Sequence, residues 1–291
     1  MSAADPPRAP RDPFPALPTL PMFETLDWFE AKGRVRDGWV PYGGGVLPSL
    51  RVALDPLGIE CRDLRLDRDL YARFVADAGY ARRPEYSGSR QVEKKLEHFA
   101  LAVLLKLRPD DVYIDVASSD SPVPQIYEAL YGCRAFAQDL LYPEGVQGNR
   151  IGGDASRMPV AANFASKLAL HCAFEHFEED SDVRFLREVE RVLRPGGRCC
   201  ILPLYIAEEY AIQTDPAIAG PEGVRFETDA ILYRAAGWGQ GHGRFYSPER
   251  LRSRLLAHLE GLTASVVHFV NEKEFDPQCY LKFALLLEKP A

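Results

Sequence analysis

The stretch from Val112 to Pro122, VYIDVASSDSP, constrains the fold more than any other part of the chain. An apolar run leads to an acid, Asp115, three very small residues follow, and Ser121-Pro122 provides a helix start. This order predicts a buried parallel strand that runs through a tight turn into a helix. Small residues let the backbone approach a ligand, and a helix N-terminus presents free N–H groups. The turn is therefore a candidate ligand-binding element, although it lacks the usual glycines.

Strands and helices continue to alternate downstream of this stretch. Helices are predicted at 123–131 and from Ser181 to a stop at residues 195–197, PGG. Two final strands joined by a polar loop indicate an antiparallel end. Such alternation predicts an α/β fold whose mostly parallel sheet is covered by helices on both faces. The predicted strands number seven and lie at about 112–116, 134–138, 150–152, 167–172, 198–204, 263–270 and 280–288.

Composition divides the chain into three parts. Residues 1–21 hold seven prolines, which predicts a disordered or extended tail. Residues 22–87 form a predicted N-terminal accessory or cover segment, with helical spacing over 67–78. The main domain is predicted over 88–291 and begins with a helix that Ser89 is placed to cap. Its insertion at 206–246 is rich in aromatic residues, which favours a substrate cover over a plain linker.

Charge and apolar content limit the classes of partner. The formal net charge of −7 argues against nucleic acid, since phosphate binding needs a basic surface. The sequence has no apolar run of membrane-spanning length and no signal-peptide pattern at its N-terminus, so we expect a soluble protein without a membrane span. Its six scattered cysteines form no C-x-x-C pair, which is typical of free thiols in a reducing compartment. These observations predict a cytoplasmic protein.

Three acids, Asp115, Asp139 and Asp154, fall near the carboxyl ends of predicted strands. Ligands of parallel sheets bind at that edge, so the three carboxylates are expected to surround one crevice. Asp139 follows Asp115 by roughly the spacing of the ribose-binding acid in dinucleotide folds. The segment Gly153–Pro159 could hold an adenine edge. An adenosine-bearing ligand is favoured over a phosphate, because no Lys or Arg lies in the first turn.

Three segments carry a resemblance to a known family: residues 153–159, 174–177 and 185–197, the last reading FLREVERVLRPGG. In these the chain resembles the class I S-adenosylmethionine-dependent methyltransferases, in particular the methyltransferase type 11 group. The resemblance runs from about 112 to 204 and more loosely to 290. It implies a Rossmann-like sheet with an antiparallel last strand and S-adenosyl-L-methionine as the cofactor.

The resemblance also implies which residues contact the cofactor. The acid of the first strand would lie near the methionine amino group, the second acid would bind the ribose, and residues 154–155 would contact the adenine. The residues so implied are Asp115, Ala117, Ser118, Ser119, Asp139, Leu140, Asp154, Ala155, His171 and Cys172. The family usually has glycine where this chain has Ala117, Ser119 and Ser121. Either the turn keeps φ below zero and its serine hydroxyls bind the cofactor, or the site has lost cofactor binding.

Methyl transfer from a sulfonium is an in-line displacement, so positioning of the acceptor supplies much of the catalysis. A general base helps when the acceptor is a hydroxyl. The candidate catalytic residues are His171 at the end of the fourth strand, His242 in a glycine-flanked loop expected to be mobile, and Tyr205 after the fifth strand, near Glu208 and Glu209. A metal site from His98, His171, Glu175 and His176 is not supported by ligand spacing, so no metal is predicted.

The sequence thus predicts a methyltransferase that acts on a small molecule or sugar, with an oxygen as the expected acceptor atom. One alternative is a non-catalytic methyltransferase-like protein that acts as a regulator or partner, which the altered turn would favour. Another is a nicotinamide oxidoreductase, against which the absence of G-x-G-x-x-G counts. The acceptor and the oligomeric state stay open, with a homodimer as one option.

Overall fold

The structure is a computed structural model, which describes residues 22–42, 45–83 and 91–291. The predicted proline-rich tail and the predicted helix cap at Ser89 lie outside these residues. Within them, the main element is a mixed eight-stranded sheet. Its strands are β3 (Glu60–Leu64), β4 (Val112–Val116), β5 (Arg134–Gln147), β6 (Arg150–Gly152), β7 (Ala165–His171), β8 (Leu193–Leu202), β13 (Thr263–Phe269) and β14 (Phe283–Glu288).

The strand order is β3-β13-β14-β8-β7-β4-β5-β6. Strand β14 runs antiparallel to both of its neighbours, β13 and β8, whereas β4, β5, β7 and β8 pair in parallel. The predicted Rossmann-like sheet with an antiparallel last strand is therefore confirmed. It has eight strands instead of the predicted seven, because β3 from the N-terminal segment pairs in parallel with β13.

Helices cover both faces of this sheet, as the alternation predicted. They are α1 (Leu26–Ala31), α2 (Val46–Leu54), α3 (Arg68–Asp77), α4 (Gln91–Leu105), α5 (Val123–Tyr131), α6 (Ser181–Val192), α7 (Pro216–Glu222) and the short α8 (Pro248–Arg250), which continues as a π-turn at Leu251–Leu255. Local signals set several ends. The Asp67 carboxylate accepts the Asp69 and Leu70 N–H groups at the start of α3. Gly132, at φ 69°, ends α5.

The insertion and the N-terminal segment together build a second sheet. Strands β9 (Ala211–Thr214), β11 (Ile231–Arg234) and β12 (Gly243–Phe245) come from the insertion, and β2 (Val35–Asp37) completes the order β12-β9-β11-β2. A two-residue pair, β1 (Phe23–Glu24) with β10 (Phe226–Glu227), adds a further link. The two predicted cover segments are thus joined to each other by backbone hydrogen bonds.

A buried ionic cluster fastens the insertion to the main domain. Arg244 on β12 is fully buried and pairs with Asp182 on α6 at 3.0 Å and with Glu227 at 2.6 Å. Arg254 pairs with the same two acids, and the Tyr246 hydroxyl donates to Asp182. Burial by itself would raise the pKa of Asp182, but the two arginines outweigh burial and lower it to about 2. The insertion is therefore held to the main domain by buried ion pairs, in which removing either partner would leave an unpaired buried charge.

Some predicted bounds were wrong. The sequence of residues 52–61 suggested a loop or strand, but helix α2 extends to Leu54 and β3 begins only at Glu60. Strand β5 continues to Gln147, and its last part, residues 144–147, doubles back along β6. The predicted strand at 280–288 begins at Phe283. The division into tail, accessory segment and main domain stays a prediction.

Candidate functional site

The turn after β4 adopts the backbone that glycine usually provides, without glycine. Ala117 has φ 51° and Ser119 has φ 48°, both in the left-handed region. Side chains at such positions are strained, because Cβ crowds the backbone. The predicted variant turn with φ below zero is therefore wrong at both residues. The tight turn is therefore formed in spite of the backbone strain at these two residues.

Hydrogen bonds from the end of β5 hold this turn. The Ala117 N–H donates to Gln138 Oε1 at 3.1 Å, and the Ser118 N–H donates to the Gln138 carbonyl at 2.9 Å. The Ser119 N–H donates to Asp139 Oδ2 at 2.7 Å. Three successive backbone amides of the turn thus donate hydrogen bonds to Gln138 and Asp139 of β5. Gln138, which sequence reasoning missed, also donates to Gly153 O at 2.6 Å and so ties the ends of β4, β5 and β6 together.

The segment after Asp139 lies across the turn. The Leu141 N–H donates to Asp139 Oδ1 at 2.9 Å, and the Tyr142 hydroxyl donates to Ser119 O at 2.5 Å. A Cβ added to Gly152 would meet Pro143 O at 1.9 Å, so this segment presses directly on β6. Leu140, a predicted cofactor contact, is 72% exposed at this point. No sequence signal pointed to Tyr142.

Asp115 and His171 are brought together, as two predicted site residues should be. His171 Nε2 lies 3.2 Å from Asp115 Oδ1 and 3.3 Å from Ser121 Oγ. The Asp115 side chain is fully buried and also accepts the Tyr113 hydroxyl at 3.1 Å. Burial lowers the pKa of His171, but the Asp115 carboxylate outweighs burial and the pKa is raised. In this structure the Asp115 carboxylate is therefore the hydrogen-bond acceptor for both His171 and Tyr113.

A polar cluster surrounds Cys172, the residue after His171. Cys172 has φ 49°, and its Sγ donates to Glu97 Oε1 at 3.2 Å and lies 3.6 Å from the Tyr280 hydroxyl. Lys94 pairs with Glu97 at 3.0 Å. Burial raises the pKa of the Cys172 thiol well above its ordinary value, so it stays a thiol. Helix α4 thus supplies charged groups to the site, which sequence reasoning missed because they flank an apolar stripe.

The other two predicted catalytic residues are Tyr205, which contacts Tyr280 of this cluster, and His242, which contacts the Glu175 carbonyl. Tyr205 packs against Tyr42, with ring centroids 5.3 Å apart, and against Tyr280, at 6.1 Å. His242 is 3% exposed and stacks on Phe226, and its Nδ1 donates to the Glu175 carbonyl at 3.2 Å. Burial lowers the pKa of His242 well below its ordinary value, so its ring is neutral. His242 directly precedes β12 and is buried, whereas the sequence suggested a loop.

Asp154 and Ala155 lie at the end of β6, near the turn. The Asp154 side chain accepts the Ser156 N–H at 2.8 Å and starts a short 3₁₀ turn at Ala155–Arg157. Asp139, Gly153 and Gln138 are linked through backbone and side-chain bonds. The two predicted adenine contacts are thus placed beside the predicted ribose acid.

A family model described as "Methyltransferase domain" matches residues 131–201. The match starts at the end of α5, takes in Asp139, Asp154 and the end of β7, and stops within β8. Over these residues the chain is similar to a methyltransferase domain. Because it begins at the end of α5, the match does not include the strained turn at Ala117 and Ser119. No curated protein matches.

Three solved structures illustrate what this chain is similar to. One is the Burkholderia thailandensis 1,6-didemethyltoxoflavin-N1-methyltransferase with bound S-adenosylhomocysteine (15% identity, 76% of this chain and 88% of that chain, TM-score 0.45). A second is a Haloferax volcanii complex between the Trm112 methyltransferase activator and a putative methyltransferase (15%, 77% and 97%, 0.43). A third is the Streptomyces coelicolor geranyl diphosphate C-methyltransferase (12%, 74% and 88%, 0.42).

The residues of the crevice fit the adenosine end of the cofactor. Each Asp139 oxygen accepts one backbone N–H, and a carboxylate oxygen has about two acceptor positions, so ribose hydroxyls can still donate to it. At the methionine end the fit requires movement, because Asp115 is enclosed. Among residues 22–42, 45–83 and 91–291 no group of three His, Cys, Asp or Glu side chains is arranged to hold a metal. Across the same residues, no helix has both the length and the apolar character needed to cross a membrane.

Proposed function

We propose that the methyltransferase domain transfers the methyl group of S-adenosylmethionine to a hydroxyl oxygen of a small molecule or sugar. The observation that carries this is the Asp139 carboxylate, which lies at the end of β5 with acceptor positions to spare. Within the family-matched residues it is the group best suited to two ribose hydroxyls. The cofactor supplies an electrophilic methyl group on sulfur.

The chain's own residues would orient the acceptor and receive its proton. The acceptor oxygen forms a bond to the methyl carbon as the carbon–sulfur bond breaks, the bonding electrons stay on sulfur, and the hydroxyl proton must leave. His171 is the proposed base, since it lies at the end of β7 and is oriented by Asp115. It accepts a proton only in its neutral form, so its raised pKa predicts activity that increases with pH. Tyr205 and the hydroxyl of Tyr280 would position the acceptor.

Calorimetry with S-adenosylhomocysteine tests the cofactor part of the proposal. We expect micromolar binding to the full chain, and about a tenfold loss in Asp139→Asn, because the amide loses the charge that strengthens hydrogen bonds to the ribose. Asp120→Asn is a matched control in the same turn, since Asp120 is exposed. Wild-type protein that shows no binding, or equal binding by both variants, would contradict the proposal.

Turnover with a radiolabelled methyl donor tests the reaction itself. A panel of hydroxyl-bearing sugars and phenols should include an acceptor, and His171→Gln should lower kcat with little change in S-adenosylhomocysteine affinity. Binding of the cofactor without turnover on any acceptor, together with a stable complex with another protein, would instead support the regulatory alternative.

We also propose that the acceptor is a free small molecule or glycan and that the protein works in the cytoplasm. The net charge of −7 supports an acceptor other than nucleic acid. Retention of duplex DNA or RNA in a mobility-shift assay at physiological salt would contradict the first part. Recovery of the full chain from a membrane or extracellular fraction would contradict the second.

A further inference from the structure

A cavity of about 240 Å³ lies between the N-terminal segment and the insertion. Residues 40–42 line one side, and residues 207–209 line the other, together with Ala211 and Tyr233. The cavity is far larger than the ~10–15 Å³ that one water needs, so it can hold a small organic group. Both walls belong to the second sheet and its connections, since Tyr42 forms a β-bridge with Ala207.

The charged residues that line this cavity are both acids. Glu208 and Glu209 line it, and no lysine or arginine is among the lining residues. Arg36 neutralises Glu209 at 2.6 Å and also donates to the Tyr233 hydroxyl at 2.8 Å. Within the described part of the chain Glu208 has no ion pair. The cavity therefore presents one uncompensated carboxylate.

Aromatic rings complete the walls. Tyr42 and Tyr233 line the cavity, and Trp39, next to the lining residues in sequence, is 63% exposed and makes an edge contact with Trp238 at 6.5 Å. A cation is attracted both to a carboxylate and to the face of an aromatic ring. Arg36 already lies over the Tyr233 ring, 5.6 Å from its centroid, so the lining groups left for a bound cation are Glu208 and Tyr42. A neutral or anionic group gains neither interaction. The chemistry of the walls thus fits a protonated amine.

A row of tyrosines connects this cavity with the candidate site. Tyr42 contacts Tyr205 at 5.3 Å, Tyr205 contacts Tyr280 at 6.1 Å, and the Tyr280 hydroxyl lies 3.6 Å from Cys172 Sγ. Cys172 directly follows His171, the proposed base. A molecule with its amine in the cavity would therefore direct its other end along the tyrosines towards the end of β7.

We propose that this cavity binds the protonated amine of a small organic acceptor, with Glu208 as the residue that selects the positive charge. The assignment rests on the proposed function, in that the amine-bearing molecule is the methyl acceptor and its hydroxyl is the reacting group. Glu208 acts on specificity through charge and does not touch the reacting atoms.

Two matched ligand pairs test the proposal on the full chain by calorimetry and ligand-observed NMR. The pairs are tyramine with 4-ethylphenol and glucosamine with glucose, and in each the first member carries the amine. We expect the amine of at least one pair to bind about fivefold more tightly than its neutral partner. Glu208→Gln should reduce this preference to less than about twofold, since it removes the charge and keeps the shape. Glu222→Gln, an exposed acid on α7, is the control and should leave the preference unchanged.

Equal affinity within both pairs, or a preference that survives Glu208→Gln, would overturn the proposal. Thermal unfolding of Glu208→Gln should match wild type, because the residue is exposed. Binding of S-adenosylhomocysteine is measured in parallel. If it binds while the amines show no preference, only the cavity assignment fails; if the preference holds without cofactor binding, the proposed function fails and the amine site remains.

Discussion

Replacing Ala117 or Ser119 by glycine should make the protein more stable, which is the reverse of the usual effect of this substitution. Both residues have φ near +50°. A non-glycine residue in the left-handed region costs roughly 1–2 kcal/mol. Glycine removes that cost and adds about 0.5–1 kcal/mol of conformational entropy to the unfolded chain. The difference is a net gain of about 0.5–1 kcal/mol for each substitution.

Urea unfolding followed by circular dichroism measures this gain as a higher transition midpoint at an unchanged slope. Ser118→Gly is the matched control, because Ser118 lies between the two strained residues and is absent from the positive-φ residues. Its hydroxyl makes only long contacts of 3.4 Å. The control should therefore lose about 0.5–1 kcal/mol. The reasoning is refuted if all three variants lose stability to the same extent, since the strain would then not reside at φ.

Three further substitutions probe the fold around the site, each measured by urea unfolding. Asp182→Asn should lose about 3–5 kcal/mol, because two buried arginines lose one of their two acidic partners. The difference in unfolding free energy from wild type should narrow as pH falls from 3.8 towards about 2. The control Asp229→Asn, in a half-exposed pair, should lose at most about 1 kcal/mol. His171→Gln should lower stability below pH 6.5, because the protonated His171 of the wild type stabilises the folded chain through its ion pair with Asp115. This loss of stability should fade as pH rises through the raised pKa of His171. A loss that is independent of pH would contradict the ion pair. Gly152→Ala should lose about 1–3 kcal/mol because its Cβ would meet Pro143 O. Gly220→Ala should change stability by less than about 1 kcal/mol, since its Cβ has open space and the following Pro221 offsets the usual gain in a helix. Similar effects of the two substitutions would show that the clash at Gly152 is relieved.

The hydrogen bonds at the turn have a consequence for cofactor binding. The amides of residues 117–119 are bound by Gln138 and Asp139. In this structure the turn is therefore shaped by the neighbouring strand end and its small residues. In the proposed function, the ribose of the cofactor would bind the acceptor positions that Asp139 keeps free. Cofactor specificity in this chain should consequently depend strongly on that one carboxylate.

Much of the sheet could be predicted because its signals are local. Strand β4 and helix α5 have the bounds expected from a continuous apolar run and from the helix signals that follow. The final antiparallel pair followed from a short polar loop between two apolar segments. Buried parallel strands require apolar side chains on both faces, so each leaves a pattern within a few residues.

Long-range pairing left no such pattern. Strand β3 joins the sheet beside β13, some 200 residues later, and β2 pairs with β11 across a similar separation. Both strands are short and partly exposed, so their composition resembles that of loops. The helix at 46–54 was missed for the related reason that its buried face is matched to a distant partner, α8.

The sequence by itself determined the sheet, the three acids at strand ends and the small residues of the turn. Only the tertiary structure decided what those groups do. Asp115 became a partner of His171, fifty-six positions later, and the turn at Ala117 and Ser119 took positive φ because the end of β5 binds its amides. His242 became a buried, neutral ring. The reason is physical: hydrophobic periodicity acts between near neighbours, whereas charge pairing and backbone strain depend on which distant strand ends meet.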